Sequence, residues 1–342
     1  MTTIQTVTKA RLPAGMLEIR RLFNALDWTE LTQQVEVETH TRVAIVGPVN
    51  SGKSTLFNTL KGREISPVAA VPGTTRKLYH EEWEPFTLTD TPGFGEVGGV
   101  DRADIALDAV QAADVIVLVL DAVAGVRQAD HSLLQKLRAT GKPVVVALNK
   151  IDLLGDAREA AASDARQKLG QPALVPISAK RGTNVATLLL PQIVDAHPSL
   201  VVALGRALPG YRRQAASRVV RNASLLNAFV GSEPIPGLAI PFLLAIQARM
   251  VLRIAAIYGE PMGIEHAKTL VATIAGGLSL RYLAIAGAKI VPGPGWIVAA
   301  AIAGIGTWGI GRAAIRYFEH GKNPRLGEAT LPVGIPRQVP GV

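Results

Sequence analysis

Cysteine is absent from the 342 residues of the chain. That absence excludes disulfide bridges and thiolate metal sites, and it is typical of a reducing compartment. Acidic residues are also in deficit, with 27 Asp and Glu against 36 Lys and Arg and a formal net charge of +9. Such a charge favours an anionic partner: a nucleotide, a nucleic acid or an acidic membrane surface. Residues 1–10 are polar and lack the apolar stretch of a signal peptide, so we expect a cytoplasmic protein.

Short apolar runs alternate with charged helical stretches between residues 41 and 200. This alternation is the sequence form of a parallel α/β sheet. We predict strands at Val43–Val46, Phe86–Leu88, Val115–Leu120, Val144–Leu148 and Leu174–Ile177, with Leu78–Trp83 as a partly exposed strand. Ahead of them, Pro13–Gln34 carries apolar residues at helical spacing and predicts one amphipathic helix. That helix either packs on the body of the protein or serves a partner or membrane.

The first predicted strand runs directly into a phosphate-loop motif. Gly47–Ser54 has the form G-x4-G-K-S and is followed by a helical stretch, which is the context that this motif needs. Its backbone N–H groups and the helix N-terminus are suited to phosphates, Lys53 to the β and γ oxygens, and Ser54 to Mg²⁺. We therefore predict a phosphate site formed by Gly47, Asn50, Ser51, Gly52, Lys53, Ser54 and Thr55.

A second motif, Asp90-Thr91-Pro92-Gly93, follows the strand at Phe86–Leu88 and has the form D-x-x-G. In such a segment the Asp supports Mg²⁺ and the Gly N–H senses the γ-phosphate. Asp90 and Gly93 therefore join the predicted site.

Two further segments follow strands of the same predicted sheet and specify the base. Asn149-Lys150-Ile151-Asp152 follows the strand at Val144–Leu148, so its side chains are expected at the carboxyl edge of the sheet. The Asp152 carboxylate can accept hydrogen bonds from N1–H and the exocyclic amine of guanine, which favours GTP over ATP. Ser178-Ala179-Lys180 is expected to supply a backbone N–H to the guanine carbonyl, while the Lys150 stem packs against the ring.

These motifs resemble those of the Era/TrmE-like family of translation-factor-related GTPases. The resemblance covers residues 40–200 and rests on Asn50–Asn58, Pro72–Arg76, D-T-P-G, N-K-I-D and S-A-K. It implies that Thr75 is the switch threonine that ligates Mg²⁺, with Thr74 as the alternative. It also matches Asn50 to the residue that ligates K⁺ in the potassium-activated members of the family. Arg76 is the alternative contributor of positive charge.

Phe94 departs from the Ras-like pattern, because a glutamine at this position would orient the attacking water. The resemblance implies that the missing group comes from a rearranged switch, a bound K⁺ or a dimer partner, and that turnover is slow without them. The predicted catalytic residues are accordingly Lys53, Thr75, Gly93 and Asn50. The predicted metal ligands are Ser54, Thr75 and Asp90 for Mg²⁺ and Asn50 for K⁺.

Residues 235–311 are dominated by apolar residues, Gly and Pro. We predict apolar helices at Ile240–Tyr258, Ile264–Ala288 and Trp296–Phe318. The segment Gly237–Glu260, with Ile264–Leu270 after it, resembles the YcjF-type C-terminal domain. That family has no defined role, is often joined to GTPases and is linked to membranes, and it supplies no catalytic residues to carry over.

Ile290–Gly311 contains 22 residues without a charge, enough to reach across a bilayer at about 20 apolar residues per span. Pro292, Pro294 and six glycines interrupt it, so we favour peripheral or re-entrant attachment over a bundle of full spans. The alternative is a soluble helical domain with a very apolar core. Small residues such as Ala300 and Gly304, four apart, are expected to allow close helix packing.

The predicted fold class is α/β, a P-loop NTPase G domain with a mostly parallel sheet flanked by helices, followed by an all-α, highly apolar domain. The predicted segments are an amphipathic extension at 1–39, the G domain at 40–200, a basic connector at 201–230, the apolar domain at 231–320 and a flexible tail at 321–342. The predicted function is a GTP-hydrolysing switch at a membrane. A ribosome- or RNA-associated GTPase and a GTP-binding scaffold with little turnover are the alternatives.

The predicted ligands are GTP or GDP with Mg²⁺ and, at Asn50, K⁺. The predicted partners are an anionic membrane surface and a second copy docked through the G domain, with nucleic acid or a ribosome ranked below them. The predicted location is the cytoplasm, at the cytoplasmic face of a membrane.

Overall fold

A six-stranded sheet forms the first half of the fold. The structure is a computed structural model that describes residues 21–62, 80–89, 110–171, 173–232, 240–275 and 295–320. The strands are β1 (Val43–Val46), β2 (His80–Trp83), β3 (Phe86–Thr89), β4 (Val115–Asp121), β5 (Val144–Asn149) and β6 (Val175–Pro176). Their order is β2-β3-β1-β4-β5-β6; β2 pairs antiparallel with β3, and the remaining neighbours are parallel.

The helices are α1 (Trp28–Thr39), α2 (Lys53–Lys61), α3 (Gln128–Ala139), α4 (Arg158–Leu169) and α5 (Leu190–Ala196), followed by α6 (Leu200–Ala207), α7 (Arg212–Gly231), α8 (Ile240–Ile257), α9 (Ile264–Ala275) and α10 (Gly295–Glu319). The central strands β1 and β4 are buried along almost their whole length, as expected of parallel strands covered on both faces. The predicted α/β class with a helical second half is confirmed.

The prediction of one helix over Pro13–Gln34 is wrong. Within the described part of it, helical residues end near Asn24, and a new helix, α1, runs from Trp28 to Thr39. The Asp27 side chain accepts a hydrogen bond from the Glu30 N–H at 2.9 Å and caps the new helix. Asp27 followed three residues later by Glu30 is a helix-capping signal. The prediction overlooked it because apolar residues continue at helical spacing across this point.

The second half of the fold is a helical bundle in which α7 and α10 run antiparallel in close contact. A Cβ added to Gly311 would lie 2.4 Å from a Val220 methyl, and one added to Gly231 would lie 2.7 Å from the Ala303 Cβ. Gly304 likewise faces Ala228, as the small-residue spacing predicted. Side chains larger than hydrogen at these glycines would force the two helices apart.

A buried polar cluster ties three helices of the bundle together. Asn227 on α7 donates to the Thr307 hydroxyl of α10 at 2.7 Å, and Gln247 on α8 donates to the same hydroxyl at 2.9 Å. Because unpaired polar groups are costly in an apolar core, this cluster fixes the register of the three helices.

Two of the described helices, α8 and residues Ile297–Glu319 of α10, have the length and composition of a membrane span. The α8 helix lies mostly inside the bundle, where it packs on α7, α10 and α1. The predicted α9 helix is described as far as Ala275; the rest of that prediction and the tail at 321–342 lie outside the described residues. The predicted domain boundaries stay predictions, although the segment at 201–230 packs as part of the bundle.

A buried ionic contact joins α1 to the bundle. Glu38 of α1 is 4% exposed and lies 2.8 Å from Arg249 and 2.7 Å from Arg253 of α8. Arg253 also donates to the Pro198 carbonyl. Burial lowers the pKa of the Arg253 guanidinium, and the Glu38 carboxylate opposes that shift by favouring the charged form. Since β1 follows α1 after three residues, this contact links α8 to the strand that carries the phosphate loop.

Candidate nucleotide-binding site

The phosphate loop turns sharply between β1 and α2. Gly47 has φ +150°, and a Cβ there would lie 2.2 Å from the Val119 carbonyl oxygen of β4. Gly52, at φ +89°, is the residue before α2, so the helix begins at Lys53 with its first N–H groups directed toward the loop. Lys53 is buried and its ammonium group donates to the Pro48 carbonyl at 2.7 Å, across the mouth of the loop. The loop therefore has the geometry of an anion cradle.

Asn149, at the end of β5, braces this loop from the side. Its amide nitrogen donates to the Ser51 carbonyl at 2.9 Å, and its amide oxygen accepts from the Ala179 N–H at 2.8 Å. The side chain also occupies the space next to Gly52, where a Cβ would lie 2.2 Å from the amide nitrogen. Asn149 thus holds the phosphate loop and the segment after β6 in a fixed relation.

The Asp152 carboxylate stands beside that segment. One of its oxygens accepts a hydrogen bond from the Ser178 hydroxyl at 2.6 Å, and the Arg181 guanidinium lies 3.9 Å from the other. The Ser178 hydrogen bond holds the pKa of Asp152 below its usual value, so the group is charged at neutral pH. A fixed, charged carboxylate is what recognition of two neighbouring guanine donors requires.

Lys150 has φ +70°, and its ammonium group lies 2.7 Å from a carboxylate oxygen of Asp121. Asp121 ends β4 directly opposite Asn149 in the sheet register. The sequence analysis missed Asp121. A signal was available, because Asp121 is an acidic residue at the end of the predicted strand that comes just before the strand leading into N-K-I-D. The ion pair directs the Lys150 stem across the site, within 4.0 Å of the space above Gly52.

The segment after β6 offers few free N–H groups. Those of Ser178 and Arg181 are bonded to the Thr183 carbonyl and the Ser178 hydroxyl. The N–H of Ala179 donates to the Asn149 amide oxygen. The N–H of the exposed Lys180 has no hydrogen bond among the described residues. Thr59 of α2 fastens this segment by donating to the Ala179 carbonyl at 2.6 Å.

Only some of the residues predicted to bind cations are described by the structure. Ser54 is exposed in the first turn of α2, and Asn50 is exposed on the loop at φ +64°. Ser51 is buried, and its hydroxyl has no hydrogen-bond partner among the described residues. The predicted residues Thr75, Asp90 and Gly93, together with Thr74, Arg76 and Phe94, lie outside the described residues.

Comparison with known proteins finds two family models along the chain. Residues 42–150 match the family described as 50S ribosome-binding GTPase, and residues 199–333 match Domain of unknown function (DUF697). The second match starts at the head of α6 and includes the segment predicted as a connector.

Curated relatives match about half of the chain. The chain is 37% identical over 209 residues to the GTPase Der of Desulforudis audaxviator, which covers 56% of this chain and 44% of that protein. It is 43% identical over 157 residues to the GTPase Der of Myxococcus xanthus, with 43% and 33% covered. A solved structure of Era from Aquifex aeolicus bound to GDP and aluminium fluoride is 30% identical, with 54% and 66% covered and a TM-score of 0.38.

The loop, the braced N-K-x-D segment and the family matches together define a P-loop GTPase domain of the Era-like class. In this chain that domain is followed by a DUF697 domain, the YcjF-type domain that the sequence resembles, so both predicted resemblances are confirmed. The chain spans less than half the length of the curated relatives it matches.

Proposed function

We propose that this chain binds Mg²⁺·GTP and hydrolyses it to GDP and phosphate as a molecular switch. The observation that carries the proposal is the brace formed by Asn149, which connects the phosphate cradle to the segment after β6, where Ser178 holds the charged Asp152. A nucleotide that spans the two must present phosphates to the loop and two adjacent hydrogen-bond donors to the carboxylate. Guanine presents such a pair and adenine does not.

The substitution Asp152→Asn tests the base specificity. An amide donates a hydrogen where the carboxylate accepts one, so the variant should lose GTP and gain xanthosine triphosphate, whose 2-oxo group accepts. We expect GTP affinity to fall at least about 100-fold, the loss of a charged hydrogen-bond pair worth about 3 kcal/mol. Fluorescent nucleotide competition measures both ligands. Undiminished GTP binding by the variant would overturn the assignment of guanine to Asp152.

In the proposed reaction Lys53 neutralises the β and γ phosphate oxygens, and Ser54, Thr75 and Asp90 hold Mg²⁺. Gly93 contacts the γ-phosphate, and Asn50 contributes K⁺ ligation beside it. The Lys180 N–H donates to the guanine carbonyl. The Ala179 N–H joins it when it divides its hydrogen bond between Asn149 and the base. We propose that catalysis is slow until K⁺, an activator or a second copy docked through the G domain supplies the group that Phe94 lacks.

We propose a membrane as the place of action, with peripheral or re-entrant attachment at the cytoplasmic face. Support comes from the two helices long and apolar enough to span and from the excess of positive charge. Flotation of the full chain with liposomes tests this, since a protein that stays at the bottom of the gradient with every lipid would not act there.

An RNA- or ribosome-associated role is the second candidate, because residues 42–150 match a family described as 50S ribosome-binding GTPase. Co-sedimentation with ribosomes at two salt concentrations separates the candidates. Binding that is specific to the 50S subunit and absent from liposomes would favour this alternative. A GTP-binding protein with no turnover at any protein concentration or in any salt would instead be a scaffold.

A further inference from the structure

One end of the helical bundle exposes large apolar side chains on three helices. Phe229 of α7 is 77% exposed, Ile305 of α10 is 70% exposed and Phe242 of α8 is 60% exposed. We call this surface the apolar end; its described members are Leu225, Leu226, Phe229, Phe242, Ile297, Val298, Ile305 and Trp308. Exposed apolar side chains of this size, gathered at one level of the bundle, are typical of an interaction site.

Packing within the bundle places these residues at one level. Ala228 faces Gly304 where α7 and α10 cross, and Asn227 donates to both Thr307 and the Leu243 carbonyl. The last turns of α7, the first turn of α8 and the first half of α10 therefore lie side by side. On α10 the exposed residues Ile297, Ala301, Ile305 and Trp308 recur at helical spacing, on the face beside the one that packs on α7.

Arginines lie behind the apolar end on the same helices. Arg221 is exposed one turn before Leu225 on α7, and the Arg312 guanidinium lies 5.4 Å from the centre of the Trp308 ring on α10. We call Arg221 and Arg312 the basic collar. At 1.5 Å per residue, the collar lies about 12 Å from Phe229 along α7 and about 10 Å from Ile305 along α10.

Among the described residues of this region, acidic side chains are missing; Glu233, which follows α7 by two residues, lies outside the described residues. Neither α7 nor α8 contains an acidic residue, and on α10 the first is Glu319, which lies beside Arg213 at the opposite end of the bundle. An apolar tip with arginines about 10 Å behind it matches the depth at which interfacial proteins bury apolar side chains below anionic headgroups. An aromatic ring at the boundary, here Trp308, suits the same depth.

We propose that the apolar end docks on a bilayer that contains anionic lipid, with its apolar side chains inserted to acyl depth and the basic collar on the headgroup phosphates. This inference rests on the proposed membrane action and specifies the site, the depth and the lipid class. Insertion is shallow rather than spanning. The α8 helix is packed inside the bundle, and its Arg249 and Arg253 bind Glu38 of the G-domain side.

Flotation of the full chain with defined vesicles tests the proposal. We expect the chain to float with phosphatidylcholine vesicles that contain about 30 mol% of the anionic lipid phosphatidylglycerol, and to float poorly with phosphatidylcholine alone. The double variant Phe229→Ser and Ile305→Ser should bind at least about tenfold more weakly, since both side chains contribute inserted apolar area. Both positions are exposed, so the variant should fold normally.

A matched control is available on the G domain. Val123 and Leu153 are 53% and 65% exposed, far from the bundle in sequence, and changing both to serine should leave flotation unchanged. The double variant Arg221→Gln and Arg312→Gln should lose the preference for vesicles with phosphatidylglycerol. Its flotation should also no longer depend on salt concentration. Gel filtration of each variant reports whether the surface instead joins two copies.

The outcomes separate the two proposals. Wild-type protein that floats while the Phe229 and Ile305 variant floats equally well would refute the apolar end but leave membrane action standing. Wild-type protein that floats with neither vesicle would refute both. A variant that loses dimerisation and not lipid binding would assign the surface to a second copy. GTP binding and hydrolysis are measured in parallel without vesicles. A wild-type protein that neither binds nor hydrolyses GTP would refute the proposed GTPase switch and leave the lipid proposal untouched.

Discussion

Asn149 is the residue on which the geometry of the site depends most. Both polar atoms of its buried amide are used by the protein, one on the phosphate loop and one on the segment after β6. A side chain that donates and accepts at fixed positions can hold two loops at a set distance, which no charged or apolar residue of similar size can do. Its role in nucleotide binding is therefore first to position other groups.

The variant Asn149→Ala should lose both stability and affinity. It leaves the Ser51 carbonyl and the Ala179 N–H without a partner in a buried place, which costs about 1–3 kcal/mol for each unsatisfied group. We expect a lower urea midpoint without ligand and GDP affinity reduced by about tenfold or more, the equivalent of 1.4 kcal/mol. Asn222→Ala, at an exposed position on α7, is the control. An unchanged midpoint would mean that the two loops are held by other contacts.

Asn50 allows a separate prediction at the same scale. Its side chain is exposed on the phosphate loop, where a bound cation could stabilise the charge that develops on the transferred phosphate. We expect GTP hydrolysis to be about tenfold faster in KCl than in NaCl of equal concentration, and the difference to disappear in Asn50→Ala. Phosphate release under single-turnover conditions measures it. Equal rates in the two salts for the wild-type protein would remove K⁺ from the mechanism.

At the scale of elements, the contact between α1 and α8 depends on the charge of Glu38. Replacement by Gln keeps the shape and leaves two arginines without their counter-charge, one of them largely buried. We expect Glu38→Gln to lower the free energy of unfolding by about 3 kcal/mol, the low end for a broken buried pair because Arg249 is partly exposed. Urea denaturation measures it, with the exposed Glu36→Gln as the control. A loss no larger than that of Glu36→Gln would show that apolar packing alone holds α1.

Elements with strong local signals were predictable from the sequence. Parallel strands that are buried on both faces, such as β1 and β4, consist of continuous apolar runs in the sequence. For this reason the predicted strand Val43–Val46 coincides with β1. The break at Asp27 was missed because apolar side chains continue at helical spacing across it. The Glu38 contact had no local signal, since its arginine partners lie more than 200 residues away in the chain. Asn149 was recognised as part of the site, but its bracing role emerged only from the two loops it connects.

At the scale of the whole molecule, α8 extends from the proposed lipid surface to the G domain. Phe242 in its first turn belongs to the apolar end, and Arg249 and Arg253, two to three turns later, bind Glu38. Glu38 precedes β1 by five residues, and β1 leads into the phosphate loop. One helix thus connects the proposed lipid surface to the strand that precedes the phosphate loop. Such an element can transmit a nucleotide-dependent shift only if it has two arrangements of unequal energy.

This arrangement predicts reciprocal coupling between lipid and nucleotide. If a non-hydrolysable GTP analogue raises the affinity for phosphatidylglycerol vesicles over that of the GDP form, the vesicles must raise the preference for the analogue by the same factor. We expect a factor of about 5–20, within the usual range of coupling free energies. Flotation at fixed nucleotide and nucleotide competition at fixed lipid measure the two sides independently.

The variant Arg253→Gln tests whether α8 carries that coupling. It should bind each ligand with nearly wild-type affinity while the coupling factor falls toward one, because the carboxylate of Glu38 no longer holds α8 at that position. Arg249→Gln, which removes the more exposed partner, should reduce the factor less, and circular dichroism of both variants checks that the bundle is intact. A folded Arg253→Gln protein that retains the full factor would place the coupling outside the contact between α1 and α8.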